Sequence, residues 1–450
     1  MKLHTMASSK LELSSNIRIL DRGSFEYFAA VLLFLPLIFQ RIFVGEADGV
    51  YGGSQLSFVG YVSHFILVAM LFFRKKIVSS NISLFVLMFV YFISILQLYN
   101  SFYLYELENY GLLLTTIRAL LWITAINVYC TLFYNSDFML KAFLDVMTFA
   151  AIIALLFYSI YFLLDIPLGV NIDRGIGRLQ GTFSEPSALS AIYPGYVIAN
   201  LRIKNYKLAI LGFTVVVLSF SVICFATMGI AIFIYLFYRR NRIIAAISYA
   251  TTLLIVLVTF SAGSGAEDSA YRFSESLRNF VNLFWADGPL RQNTVDRLID
   301  ALAALSTYVT SGQRLEVGDS GSLARFVGTF FLIENMQRDG TTWIGYGLSN
   351  YGFIADQLYG TVLDFGFFPY LVSSFGVGLG IVAIFIHLRR ILTWNGKHDA
   401  LFLIFICSYF GTIYNSASGI LAYTLPVLGL VASYAHAKRL DHQLPVMPRS

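Results

Sequence analysis

The segment FLDVMTFAAIIALLFYSIYFLL, Phe143–Leu164, decides the fold class. It provides about twenty consecutive residues that are almost all apolar, which is the length a helix needs to cross a bilayer. Apolar runs of similar length recur through the 450 residues. The chain is 57% hydrophobic and 13% charged, with a mean hydropathy of +0.71, and a soluble domain could not cover it with polar surface. The sequence therefore predicts an all-α polytopic membrane protein.

About twelve transmembrane helices are predicted from these apolar runs. They are Tyr27–Val44, Ser57–Phe73, Ile82–Leu98, Gly111–Tyr134, Phe143–Leu164, Ser187–Leu201, Leu208–Phe225, Ala226–Tyr238, Ile243–Ser261, Phe365–Leu388, Ala400–Tyr414 and Ile420–Ala435. The stretch Lys207–Arg239 is short for two crossings. A single crossing, however, would place the basic sequence RRNR, Arg239–Arg242, on the outer side.

The distribution of basic residues supports the paired interpretation and places both termini in the cytoplasm, because positive charge favours cytoplasmic loops. Twenty of the 31 basic residues fall in the predicted cytoplasmic segments, and these include every lysine. The remaining eleven are all arginines. A planar guanidinium grips phosphate or carboxylate with two bonds, so an outer face with arginine and no lysine favours an anionic ligand. Salt bridges to the outer acidic residues are the alternative explanation.

Two long segments fall on the predicted outer face, Asp165–Pro186 and Ala262–Val362. The chain is thus divided into a membrane domain with nine spans at 1–261, a large outer loop at 262–362, and three spans with a cytoplasmic tail at 363–450. Apolar residues recur with helical spacing in TVDRLIDALAALSTYV and SLARFVGTFFLIENMQ, so amphipathic helices are expected in the large loop. The polar first two dozen residues predict no cleaved signal peptide.

Candidate site residues lie near the outer side of the predicted bundle. Arg118 is placed about 10 Å deep in its span, where a charge faces a cavity or a partner, or extends toward the headgroups. In DRGIGRLQGTFSEPS, Arg174 and Arg178 stand among glycines that permit close backbone approach to an anion. Pro186 suits the first position of a helix, and Glu185 either caps that helix or accepts a proton from a sugar hydroxyl.

Further candidates lie late in the large loop. Arg325 and Arg338 flank the second amphipathic helix, and the sequence TTWIGYGLSNYG follows. There Gly345 and Gly347 either form a binding loop or bend the chain back toward the bilayer. Asp356 follows in ADQLYGTVLDFGFF.

Metal and thiol chemistry have no sequence support. The three cysteines fall inside apolar runs, and no histidine cluster or Ser/His/Asp set is present. His64, alone within the second span, is interpreted as hydrogen-bonded packing. We therefore expect no metal and no other cofactor.

With these motifs in view, the chain resembles the superfamily of O-antigen polymerases and ligases. The resemblance rests on RLQGTFSEPS at Arg178–Ser187 and on the arginine-bearing helix, Gly-x-Gly turn and LDFGFFPYL at the end of the large loop. It implies a metal-independent glycosyltransferase with a GT-C-like fold and a large helical periplasmic loop. The expected location is the inner membrane of a bacterium.

Under this resemblance the substrates are oligosaccharide repeats linked to undecaprenyl pyrophosphate, and the product is O-antigen, capsule or exopolysaccharide. Arg178, Arg325 and Glu185 would be catalytic: the arginines stabilise the leaving pyrophosphate, and Glu185 orients or deprotonates the acceptor. Substrate-binding roles would fall to the remaining candidates, Arg118, Arg174, Arg338, Gly345, Gly347 and Asp356. A chain-length regulator protein is a further expected partner beside the bilayer, and no nucleic acid is expected.

Some residues depart from the superfamily pattern. Ligases carry a histidine in the large outer loop, and Ala262–Val362 contains none, which favours a polymerase. Members often carry an arginine at the turn between the seventh and eighth spans, whereas the turn expected here is FATMG. The alternatives are an O-antigen ligase, a lipid-linked saccharide flippase or other transporter, and a non-catalytic assembly partner. A transporter would require charges through the spans and a repeat between halves, and only Arg118 is clearly within a span.

Overall fold

The computed structural model describes residues 24–39, 55–70, 81–104, 110–173, 176–183, 186–238, 332–334, 336–347, 367–392, 399–413, 428–429 and 432. The predicted ninth span, almost all of the twelfth and most of the large outer loop lie outside these residues. The helices are α1 (Ser24–Ile38), α2 (Gln55–Ala69), α3 (Asn81–Leu104), α4 (Tyr110–Val128), α5 (Ser136–Leu164), α6 (Tyr193–Arg202), α7 (Tyr206–Leu218), α8 (Val222–Tyr238), α9 (Phe367–Leu392) and α10 (Asp399–Ile413). A π-helical turn, Tyr129–Phe133, follows α4, and a 3-10 helix, Pro186–Ala191, precedes α6.

The described part of the chain is mostly helical and apolar. Three helical stretches are long and apolar enough to cross a membrane, namely Thr116–Phe133, Ser136–Leu164 and Tyr370–Arg389. Large apolar side chains such as Phe92, Leu163 and Phe233 are exposed on the helix surfaces. Such faces are unfavourable in water and compatible with lipid, so the chain is associated with a membrane.

Two helices occupy the stretch that was short for two crossings, as the charge distribution predicts. The turn between α7 and α8 lies at residues 219–221. The prediction that FATMG forms this turn is wrong, because Phe225–Gly229 lies within α8. Phe220 adopts a left-handed φ of 42° at the turn, and its N–H donates to the Val217 carbonyl at 3.2 Å. A left-handed turn is usually indicated in the sequence by a glycine. Because phenylalanine occupies this position, the turn has no such indication in the sequence.

The predicted sixth span is a broken helix. The 3-10 helix is buried and packs against α8 and α10 before the chain continues as α6. The Ser190 hydroxyl donates to the Gly411 carbonyl at 3.1 Å. A Cβ added to Gly195 would lie 3.0 Å from the Ile404 backbone, and one added to Gly411 would lie 2.2 Å from the Ser190 carbonyl oxygen. Glycines therefore let α10 run antiparallel to this segment at backbone contact distance.

α9 is also interrupted, at Gly376, where φ is 82°. Breaking a helix exposes backbone groups that a bilayer cannot satisfy. The residues at 341–347 supply partners: the Tyr346 N–H donates to the Ser373 carbonyl at 2.7 Å, and the Val377 N–H donates to the Thr342 carbonyl at 2.8 Å. From α3, the buried Gln97 amide donates to the Ser374 carbonyl at 2.7 Å and also to the Ile344 carbonyl.

Candidate functional site

A two-stranded hairpin follows α5 and departs from the all-helical prediction. β1 (Val170–Asp173) pairs antiparallel with β2 (Ile176–Leu179), and Asn171 lies opposite Arg178. Asp165 ends α5 in a left-handed conformation, with its N–H donating to the Tyr161 carbonyl at 3.0 Å. We call this side of the bundle the hairpin end.

The hairpin and the residues that follow it pack on the C-terminal half of α5 through glycines. A Cβ on Gly177 would lie 2.6 Å from the Tyr161 ring, and one on Gly181 would lie 2.8 Å from the Ala154 Cβ. The Tyr158 hydroxyl donates to the Gly177 carbonyl at 3.3 Å. Because side chains alternate across a strand, Arg178 projects from the face opposite Gly177. These glycines therefore have a packing role, and Arg178 is directed away from α5.

Arg178 is partly buried beside the start of α8. Its charge is close enough to act electrostatically on the buried Cys224 thiol. That thiol donates to the carbonyl of Pro186, the first residue of the 3-10 helix, at 3.4 Å. Arg178 thus lies where the hairpin, the first turn of α8 and the start of the 3-10 helix come together. A cation in this position can hold an anion at the hairpin end of the bundle.

Pro186 opens a helix, as the sequence predicts. Glu185, its predecessor in the chain, lies outside the described residues, as do Arg174, Arg325 and Asp356. Their roles stay predictions. His64 is buried and hydrogen-bonds with the backbone of Leu33, which supports its interpretation as packing.

Arg118 on α4 is stacked on an aromatic ring from α2. Its guanidinium carbon lies 4.6 Å from the centre of the Tyr61 ring, a cation–π geometry. Its Nε is buried and makes no hydrogen bond within the part of the chain that the structure describes. A guanidinium carries five N–H donors, so an Arg118 stacked in this way suits an anionic or polar ligand.

The end of α1 links the Arg118 pair to the segment that follows the hairpin. The Thr182 hydroxyl donates to the Ile38 carbonyl in the last turn of α1. Two residues earlier in the same turn, at Pro36, a Cβ on Gly60 of α2 would lie 3.0 Å from the proline ring. Tyr61 is the next residue of α2. The stacked Tyr61–Arg118 pair and the hairpin therefore lie toward the same end of α1.

Arg338 is exposed and takes part in a short series of polar contacts with Asp339 and Tyr346. Its Nε lies 3.6 Å from the Asp339 carboxylate, with 54% of the arginine side chain exposed. The Tyr346 hydroxyl donates to the same carboxylate at 2.7 Å. Tyr346 is buried and is fixed through its backbone to Ser373 of α9. Asp339 is thereby oriented, and it restricts the side chain of Arg338.

Close packing and backbone conformation both require glycine at position 345. It adopts a φ of 72°, and an added Cβ would lie 2.6 Å from the Ser374 and Gly376 backbone. Gly347, at φ 100°, also requires a conformation that other residues rarely adopt. Both glycines set the backbone conformation of residues 341–347, the segment that supplies hydrogen-bond partners at the break in α9. Their contact with substrate stays a prediction.

The described site residues offer cationic and hydrogen-bonding groups rather than metal ligands. No group of three or more His, Cys, Asp or Glu residues able to hold a metal occurs among the residues described. Arginines at the hairpin end suit an electrostatic role toward phosphate. No family model matches the chain, and no curated protein matches its sequence.

Proposed function

We propose that the protein is a polysaccharide polymerase of the inner membrane of a bacterium. It joins oligosaccharide repeats carried on undecaprenyl pyrophosphate at the periplasmic face, which is the hairpin end of the bundle. In this proposal the membrane domain has twelve spans, a GT-C-like arrangement and both termini in the cytoplasm.

One observation carries the proposal. A hairpin that packs on α5 through a glycine carries Arg178 at one end of an apolar helical bundle, near Cys224 in the first turn of α8, and the Cys224 thiol donates to the Pro186 carbonyl. An amphiphilic substrate matches this pairing, because its lipid chain suits the apolar helix surface while its pyrophosphate suits a guanidinium at the end of the bundle. The lysine-free outer face predicted from the sequence agrees with the same substrate.

The chemistry is a glycosyl transfer without a metal. The acceptor hydroxyl oxygen bonds to the anomeric carbon of the donor, the bond from that carbon to the pyrophosphate oxygen breaks, and lipid pyrophosphate leaves with the electron pair. Arg178, with Arg325 and Arg118, stabilises the charge that develops on the leaving group. Glu185 takes the hydroxyl proton or orients the acceptor. Arg174, Arg338, Gly345, Gly347 and Asp356 contact the substrates, and a chain-length regulator is a possible partner.

Deletion of the gene followed by complementation tests this function. A polymerase deletion leaves a single repeat on its carrier, so the surface polysaccharide ladder on a gel collapses to one repeat and returns with the parental gene. Loss of all exported repeats would instead indicate a flippase. Accumulation of full-length polymer on the lipid carrier would indicate a ligase, and either result would refute the proposal.

A further inference from the structure

Among the described residues, Trp343 has the most exposed large apolar side chain. It is 75% exposed, although the segment around it is closely packed. An exposed indole lacks the apolar contacts that most tryptophan side chains make because they are buried. The ring is therefore open to contact by lipid headgroups or by a ligand.

The backbone on both sides of Trp343 is fixed to other helices. The Thr342 carbonyl accepts from the Val377 N–H at 2.8 Å, and the Ile344 carbonyl accepts from Gln97. The carbonyl of Trp343 itself packs so closely on Gly376 that an added Cβ there would lie 2.3 Å from its oxygen. Three consecutive residues are thus held by α3 and by the break in α9.

The indole lies beside α9. A Cβ built on Gly378 would be 3.6 Å from Cε3 and Cζ3 of Trp343, so one edge of the ring lies over this glycine. The rest of the side chain is open. An aromatic platform that is held in place before binding loses little conformational freedom when a ligand packs on it. A tryptophan that only anchors a protein in the headgroup layer does not need this restraint.

Polar groups accompany the ring on the same short segment. Asp339 is oriented by the Tyr346 hydroxyl at 2.7 Å, and the exposed Arg338 lies against that carboxylate at 3.6 Å. An open aromatic face together with a few fixed hydrogen-bonding groups suits a ligand that has both an apolar and a polar side. A pyranose ring is such a ligand, since its axial C–H bonds form an apolar face and its hydroxyls lie around the rim.

We propose that Trp343, with Arg338 and Asp339, forms a saccharide-binding platform that receives a sugar ring of the lipid-linked repeat. The inference rests on the proposed polymerase function and adds a sugar subsite to it. Arg178 acts on the pyrophosphate, whereas Trp343 acts on the saccharide.

The test uses the full-length protein in lipid nanodiscs and the oligosaccharide released by mild acid from the carrier that accumulates in the deletion strain. Binding is measured by titration calorimetry and by tryptophan fluorescence for the parent, Trp343→Leu and Trp343→Phe. Leucine keeps the apolar character needed for membrane contact but lacks the ring face. Phe233→Leu is the matched control, because Phe233 is 68% exposed on α8 and has no assigned role.

We expect Trp343→Leu to weaken binding about fivefold or more, Trp343→Phe to weaken it less, and Phe233→Leu to leave it unchanged. The parent should show a fluorescence change on binding that Trp343→Phe lacks. Parental affinity in Trp343→Leu would overturn the inference. If the deletion strain accumulates no lipid-linked repeat, the polymerase proposal itself fails, and the saccharide subsite is abandoned with it.

Discussion

The variant Arg178→Ala is expected to abolish the polysaccharide ladder while the protein remains in the membrane at its parental level. Arg178 is the described arginine directed away from α5 and toward the start of α8, where its charge reaches the Cys224 thiol. Removing a single preorganised group that stabilises developing charge lowers turnover about 100- to 1000-fold. The ladder on a gel measures this loss, with membrane protein quantified in parallel.

A substitution that keeps the charge separates electrostatics from geometry. Arg178→Lys should retain only a small part of the activity, because an ammonium lacks the planar fork of the guanidinium. Arg202→Ala provides the control, since Arg202 ends α6, away from the 3-10 helix at the hairpin end. A full ladder from Arg178→Ala at parental protein level would remove Arg178 from the site. Glu185→Ala is expected to abolish the ladder as well, on the sequence grounds given above.

The largest structural effect is expected for Gly411→Val. A Cβ at this position would lie 2.2 Å from the Ser190 carbonyl oxygen and 2.6 Å from the Ala191 Cα. These are backbone atoms, so the overlap is relieved only if α10 moves away from the 3-10 helix. Overpacking of this kind costs about 1–3 kcal/mol or more. We expect a lower melting temperature in detergent and less protein in the membrane.

Gly229→Val is the matched substitution, because nothing lies within 4 Å of a Cβ built on Gly229 and its position on α8 is exposed. It should melt like the parent. If Gly411→Val also melts like the parent, the close contact between α10 and the 3-10 helix is incorrect.

Helices with a long apolar run could be predicted from the sequence, since burial in lipid or protein imposes that composition along the whole element. Phe143–Leu164 lies within α5, and the charge distribution correctly required two helices between Lys207 and Arg239. Pro186 was recognisable because its ring fits the first turn of a helix. In each case the signal is local to the segment.

Features that depend on distant partners could not be predicted. The hairpin strands have four residues each, so the alternation in VNID is too short to indicate a strand, and the hairpin is stabilised by the packing of Gly177 on Tyr161 of α5. The break in α9 is possible only because residues at 341–347 and Gln97 satisfy its backbone groups. Trp343 gave no signal for the same reason, since its exposure and its fixed backbone appear only when these segments meet.

Reconstitution tests the central claim most directly. The purified protein is placed in nanodiscs with lipid-linked repeat units and a metal chelator, and both polymer length and released undecaprenyl pyrophosphate are measured. The account predicts polymers of two or more repeats, one lipid pyrophosphate released for each glycosidic bond formed, and no such products with Arg178→Ala. Repeats that remain single in the presence of the intact parental protein would contradict it.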